Sequence, residues 1–162
     1  MAHEPRLSQA LRALLAVQRV AALGTLADEG QPFVSMVPFA VDPVQACIVI
    51  HVSALAPHTN FMERCPQVSL MVMQAEVHGT PVHALPRVTL EGRATAPPHG
   101  SPAWASARDA YLARFPEAQA MTELGDFRFI AIQVAGARQV AGFGAARSLD
   151  AHDIAALLGP LN

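Results

Sequence analysis

Three apolar, β-prone segments, residues 20–26, 33–40 and 47–52, follow one another with too little chain between them for a helical crossover. Parallel neighbours need a dozen or more connecting residues, so segments spaced this closely pair antiparallel. The first connection carries Asp28-Glu29-Gly30 and the second Asp42-Pro43, both of them turn chemistry. Phe33, Ser35, Val37 and Phe39 alternate onto one face of the second segment. Residues 47–52 are apolar almost throughout, the pattern of a strand covered on both sides.

The rest of the chain extends this pattern. Pro5 opens an amphipathic helix over about 5–19, with Leu7, Leu11, Leu14 and Leu15 on one face and Arg6, Arg12 and Arg19 on the other. Residues 54–66 break the strand pattern and predict a short helix beginning near Pro57. Two further strands are expected at 68–75 and 87–94, separated by a loop with Gly79-Thr80-Pro81. Pro97-Pro98, Gly100 and Pro102 give the strongest loop signal. A helix over 104–115 then carries Trp104, Ala107, Tyr111 and Phe115 on one face. Residues 126–134 and 138–145 read as the last two strands. A closing helix, about 149–158, is capped by Ser148 or Asp150 and stopped by Gly159-Pro160. About six strands joined by tight turns predict a mainly β fold. The expected form is an antiparallel barrel over about 20–146 with peripheral helices, one domain spanning 1–162.

Composition narrows the function classes. With 162 residues, 52% apolar and 15% charged, the chain is long and apolar enough for one core and is not a disordered polyelectrolyte. The net charge is −2, every basic residue is arginine, and there is no basic run, so nucleic acid is not expected as a partner. No apolar run approaches the roughly 20 residues of a bilayer span, and no signal-peptide pattern opens the chain. Cys47 and Cys65 form neither a disulfide framework nor a zinc pattern and read as free thiols. A soluble cytoplasmic protein is the expectation.

Few motifs carry chemistry. Gly142-Phe143-Gly144 lacks the third glycine of a dinucleotide loop and reads better as strand glycines permitting a bulge. His78 and His83 share a loop without metal-ligand spacing, and no Gly-x-Ser-x-Gly elbow exists, so neither a metal centre nor a hydrolase triad is expected. The segment from Ser53 to Asn60 is more informative. A buried strand ends on a hydroxyl, and a short helix follows with His58, Thr59 and Asn60 in its first turn. Unsatisfied N–H groups at a helix start attract anions, above all phosphate. Ordinary capping by Ser53 or Thr59 would use the same groups internally, and both readings stand.

An ordered set of short motifs supports a resemblance. The set runs Gly24-Thr25-Leu26, Gly30-Gln31-Pro32-Phe33-Val34-Ser35, Ser53-x-Leu55-x-x-His58-Thr59-x-Asn60, Ser69-Leu70, Arg87-Val88-Thr89-Leu90-x-Gly92, Asp126-Phe127 and Gly142-Phe143-Gly144. It resembles the pyridoxamine 5′-phosphate oxidase-like, FMN-binding split-barrel family, and within it is most similar to the haem-utilisation (HugZ-type) branch. The resemblance covers about residues 20–149. It implies a six-stranded split barrel, a homodimer, and FMN in two grooves between the protomers. Carried onto this chain, it places Ser35, Met36 and Val37 beside the flavin ring and ribityl chain. Ser53, His58, Thr59 and Asn60 would surround the phosphate. Arg87 and the segment containing Gly142 and Phe143 would line the groove from the other protomer. Many relatives carry a cation where Thr59 stands, so the phosphate contact here depends on Arg64 or Arg87.

The expected function is a flavin-dependent oxidoreductase acting on a small molecule, with no residue marked as its acid or base. The alternative from the haem-utilisation branch is a haem-binding, haem-degrading protein. It would use His152 as axial ligand and Asp126 as an accessory partner. A non-catalytic flavin carrier or a dimeric scaffold without cofactor is the third reading.

Overall fold

A computed structural model describes residues 4–161. Helix α1 (Arg6–Val17) leads into β1 (Val20–Leu26), β2 (Pro32–Pro38), β3 (Ala40–Asp42) and β4 (Cys47–Ser53). Helix α2 (Pro57–Arg64), β5 (Gln67–Met73) and β6 (Arg87–Thr95) follow, then α3 (Pro102–Arg114) and a 3-10 segment, Pro116–Glu123. The chain closes with β7 (Phe127–Val140), β8 (Ala146–Asp150) and α4 (Ala151–Leu158). The strands form one sheet in the order β2-β1-β5-β6-β7-β4-β3, with β8 also on β7, and every pairing is antiparallel.

The two ends of that path, β2 and β3, are separated in sequence by Phe39 alone. Pro38 pairs with Val20 on β1, while Ala40 pairs with Val49 on β4. A sheet whose outermost strands are one residue apart must curl until its edges meet, which makes this a split barrel. Proline suits the junction because it ends pairing on the first ladder. The Phe39 N–H donates to the Arg19 carbonyl at 3.2 Å, and its ring is fully buried. The Arg114 guanidinium covers that ring at 4.9 Å and donates to the Leu15 carbonyl (2.8 Å), the Ala16 carbonyl (3.1 Å) and the Gln18 carbonyl. One side chain thus caps the C-terminus of α1 and seals the junction.

Two cores result. Leu23, Ile48, Ile50, Leu70, Leu90 and Ile132 fill the barrel, with α1 and α4 adding Leu11, Leu14, Leu15, Ile154 and Leu158. Outside the barrel wall, Cys47, Val49 and Phe129 pack against Ala107, Tyr111 and Phe115. β4 is therefore apolar on both faces because each face meets a different core. Burial and the nearby Asp42 carboxylate push the Cys47 thiol up to about 12, which keeps it an inert core residue.

The expected elements recur with three differences. The segment 33–40 is two strands, broken where it changes partner at Phe39. The stretch 126–145 is not two strands: β7 runs unbroken through Gly136, and β8 begins only at Ala146. Gly142-Phe143-Gly144 is the tight connection between them, with φ of +138° at Gly142 and +69° at Gly144, so these are turn glycines rather than strand glycines. The strand glycine that does face a bulge is Gly92: the β6–β7 register shifts there, with Ala135 of β7 the extra residue. A Cβ there would stand 2.3 Å from the Gln133 carbonyl oxygen. The seven segments read from the sequence, grouped there as about six strands, become eight: 33–40 divides into β2 and β3, 126–145 is taken up by β7, and β8 lies beyond it. Arg12, expected on the solvent face of α1, instead reaches α4. It donates to the Leu157 carbonyl and to the Ala156 carbonyl at 3.1 Å.

Phe39→Ala removes the ring that both edges of the barrel share. We expect a loss of about 3–5 kcal/mol in denaturant-measured stability. A loss below about 1 kcal/mol, the size of an ordinary surface change, would contradict the role given to the junction.

Candidate functional site

The end of β4 and the start of α2 bring several of the expected residues together. Ser53 closes β4, and its hydroxyl accepts from the Leu55 N–H at 3.1 Å. It also faces Asp126, whose Oδ2 lies 3.5 Å away and whose carbonyl accepts from the Ala54 N–H at 2.6 Å. The Thr59 hydroxyl is buried and donates to the Ser53 carbonyl at 2.6 Å. It therefore ties the first turn of α2 to the end of β4 and caps none of the helix-start N–H groups. Pro57 occupies the first turn of α2, and the preceding Ala56 offers no capping side chain. Asn60 is exposed on the same turn.

His58 reaches back to β2, where its Nδ1 is 2.9 Å from the Ser35 hydroxyl. This pair ties the helix to the barrel edge, together with Phe61 packed edge-on against Phe33 at 5.4 Å. The alternation of β2 divides the expected flavin neighbours between two faces. Val37 is buried in the barrel core, while Met36 points outward and is 65% exposed.

Arg87 and the Gly142–Gly144 turn stand elsewhere. Arg87 pairs with Val140 at the far end of β7, whereas Ser53 pairs with Phe127 at its beginning. At about 3.3 Å per residue, roughly 40 Å of strand separates the two groups. One protomer does not bring them into one site. Arg87 is also engaged, donating to the Leu85 carbonyl at 2.9 Å and the His83 carbonyl at 3.4 Å. Arg64 is held by Asp28 at 2.8 Å. Phe143 is 74% exposed at the tip of its turn.

His152 lies in the first turn of α4. Asp150 caps that helix, its Oδ1 accepting from the Asp153 N–H at 2.9 Å. The His152 imidazole is almost wholly exposed, with Nδ1 3.7 Å from Asp153 Oδ1.

The outer sheet face is the other open surface. Met36, Ala22 and Met71 form one cross-strand row, and Val34, Gly24 and Ser69 form the next. Val34 and Met36 are largely exposed. Beside them lies a groove of about 570 Å³ bounded by Gly24, Pro32, Ser69, Gly92 and Arg93. Gly24 and Ser69 are small and leave this space open. No helix among the described residues is long and apolar enough to cross a membrane.

The pyridoxamine 5′-phosphate oxidase family model matches residues 7–141. The chain belongs to that family. Among its relatives, Heme oxygenase HutZ of Vibrio cholerae is 29% identical over 133 residues, covering 82% of this chain and 74% of that protein. Among solved structures, a heme binding protein from Mycobacterium smegmatis superposes with a TM-score of 0.84 at 28% identity. That match covers 96% of this chain, which spans only 62% of the M. smegmatis chain. The crystal structure of V. cholerae HutZ, called there a heme storage protein, gives a TM-score of 0.73 at 26% identity, covering 80% and 91% of the two chains. The split-barrel fold and the likeness to the haem-utilisation branch expected from the motifs are both found.

Sequence reasoning placed His58 and Ser53 correctly in one turn but not the Ser35–His58 contact, which depends on the curl of the sheet. It also left the direction of His51 open. That side chain is buried against Phe129, Phe127 and Tyr111 on the outer wall of β4. Its position two residues before Ser53 on a doubly covered strand was the available signal.

Burial holds both His51 and His58 below the ordinary histidine value of 6.5. The unfolded chain therefore takes up protons before the folded one does. The stability these sites contribute is complete above about pH 6.5 and falls as acid carries the pH through their folded values. Urea midpoints measured from neutral to mildly acid pH should fall, and His58→Asn should fall less steeply than the native chain. Parallel slopes in the two proteins would contradict the assignment for His58.

Proposed function

We propose that this chain is a haem-binding protein of the haem-utilisation type, acting as a homodimer with haem held at the seam between protomers. His152 is the observation that carries the reading. An axial histidine needs one ring nitrogen free for iron and the other oriented by a carboxylate or carbonyl. Here Nδ1 faces Asp153 and Nε2 is open to solvent. Arg138, hydrogen-bonded to Ser148 on the neighbouring β8, supplies a cation for a propionate. The Met36 and Met71 row supplies soft apolar surface for the partner protomer. The haem proteins among the relatives support the same reading.

When bound, haem supplies iron chemistry that, given dioxygen and an external electron donor, acts on its own ring. The residues of this chain bind and orient it. His152 would ligate the iron, Asp153 would hold the imidazole, and the apolar face of the second copy would exclude water.

The start of α2 favours a second reading, FMN. Its first turn lacks a side-chain cap and carries His58 and Asn60, which suits a phosphate. Against it, Thr59, Arg64 and Arg87 are all committed to protein partners, and the Asp126 carboxylate stands beside Ser53. A phosphate dianion placed there meets an acid and no free cation among these residues. Haem therefore fits the donor set better.

Titrating the purified protein with haemin should give a shifted, saturable Soret band. His152→Ala should lose that band shape, and Asp153→Asn should weaken binding by about 10–100-fold. A yellow protein that retains FMN through gel filtration and leaves the haemin spectrum unchanged would overturn the proposal in favour of flavin. A colourless protein that titrates with neither would leave the scaffold reading.

Light scattering should show a dimer, and Met36→Asp should shift it toward monomer by placing a charge in the apolar row. A native chain that is monomeric at micromolar concentration would contradict the shared seam.

A further inference from the structure

A second cavity lies on the outer wall of the barrel, away from α4 and the exposed sheet face. It occupies about 420 Å³ between α3, the 3-10 segment after it and the β4–β7 pair. Phe127, Phe129 and Trp104 form aromatic walls, His51 stands on the inner side, and Arg108 and His99 are also in the lining. His51 is only 7% exposed, and its Nδ1 is fully buried with no hydrogen-bond partner among the described residues.

That orphaned nitrogen needs an explanation, because buried polar atoms are nearly always paired. Packing does not supply one. The ring stacks on Phe127 at 5.2 Å, and Phe129 lies 4.6 Å away, Tyr111 5.7 Å. A phenylalanine would fill this aromatic cluster equally well and leave no polar atom unsatisfied. The histidine instead places a single hydrogen-bonding site on the wall of an aromatic slot. Burial favours its neutral form, in which one ring nitrogen accepts and the other donates.

The charges around the slot select further. Arg108 makes no hydrogen bond among the described residues, and its nearest carboxylate is Asp109 at 4.0 Å. Arg128, also in the lining, is already paired with Glu63. Glu123 lies on the same lining and disfavours a ligand anionic at every edge. A ligand matching the slot therefore has a flat ring, one anionic end and one polar, uncharged end. The volume lies within the ordinary range for small-molecule sites, about 300–1,000 Å³.

We propose that this cavity binds a small planar aromatic carboxylic acid. Its ring would lie against Trp104 and Phe127, its carboxylate on Arg108 and its polar uncharged end on the His51 imidazole, which would turn to bring the sealed Nδ1 to the ligand. The site is independent of the haem reading, since it shares neither His152 nor the outer sheet face.

Trp104 is the only tryptophan in the chain, so its fluorescence reports on this cavity alone. The experiment titrates the full chain, free of cofactor, with para-hydroxybenzoate. Cyclohexanecarboxylate serves as the non-aromatic control. The expected result is a saturable change in tryptophan emission with the aromatic acid. Arg108→Gln, a half-exposed position that should not disturb folding, is expected to weaken binding by about tenfold or more through loss of a charge-assisted pair. His51→Phe should preserve the aromatic packing and raise stability while also weakening the aromatic acid. The proposal fails if the native chain shows no saturable change at millimolar probe. It fails equally if Arg108→Gln binds as tightly as the native chain, or if the non-aromatic control binds as well as the aromatic acid.

Discussion

The structure depends on the buried ring of Phe39 under the Arg114 guanidinium. β2 and β3 are the two ends of the sheet, and one residue joins them. That residue must leave one ladder, turn inward and enter the other, and its ring must be anchored for the turn to hold. Arg114 provides the anchor from α3 while satisfying three carbonyls at the end of α1. Curling the sheet at this point brings β2 alongside the helix that follows β4, and the Ser35–His58 contact follows from it.

The curl also gives β4 its two environments. Its inward residues, Ile48, Ile50 and Val52, belong to the barrel, and its outward residues, Cys47 and Val49, belong to the core beneath α3. His51 falls on the outward face, at the point where that second core opens into a cavity. The long strand β7 spans both ends of the molecule, so it carries the Asp126 end and the Gly142–Gly144 end far apart. A cofactor touching both groups requires a second copy of the chain. The exposed row of Met36, Ala22 and Met71 is the surface on which a second copy could seat.

Much of this was legible in the sequence where one local rule decides. The short connections around Gly30 and Pro43 dictated antiparallel pairing, and Asp150 was one of two caps named for the last helix. The apolar run at residues 47–52 announced double coverage. The misreadings share a cause, which is that a glycine or proline has a meaning only with its partner strand in view. Gly136 reads as a break but lies extended within β7, whereas Gly142 and Gly144 read as strand glycines but make the turn. Gly92, which the sequence offered only as the end of a short motif, is the position where two backbones approach too closely for any side chain. The candidate site was half legible. The turn from Ser53 to Asn60 was found from its residue types. That Thr59 would turn inward, and that Arg64 and Arg87 would be engaged elsewhere, depended on tertiary neighbours. Those engagements move the balance from a phosphorylated flavin toward haem.

The central claim is a haem shared across a dimer of this chain, and native mass spectrometry of haem-loaded protein tests it most directly. The account requires a dimer mass carrying haem, with dissociation to monomer releasing the ligand. A monomer that retains haem by itself, or a dimer whose added mass is that of FMN, would contradict it.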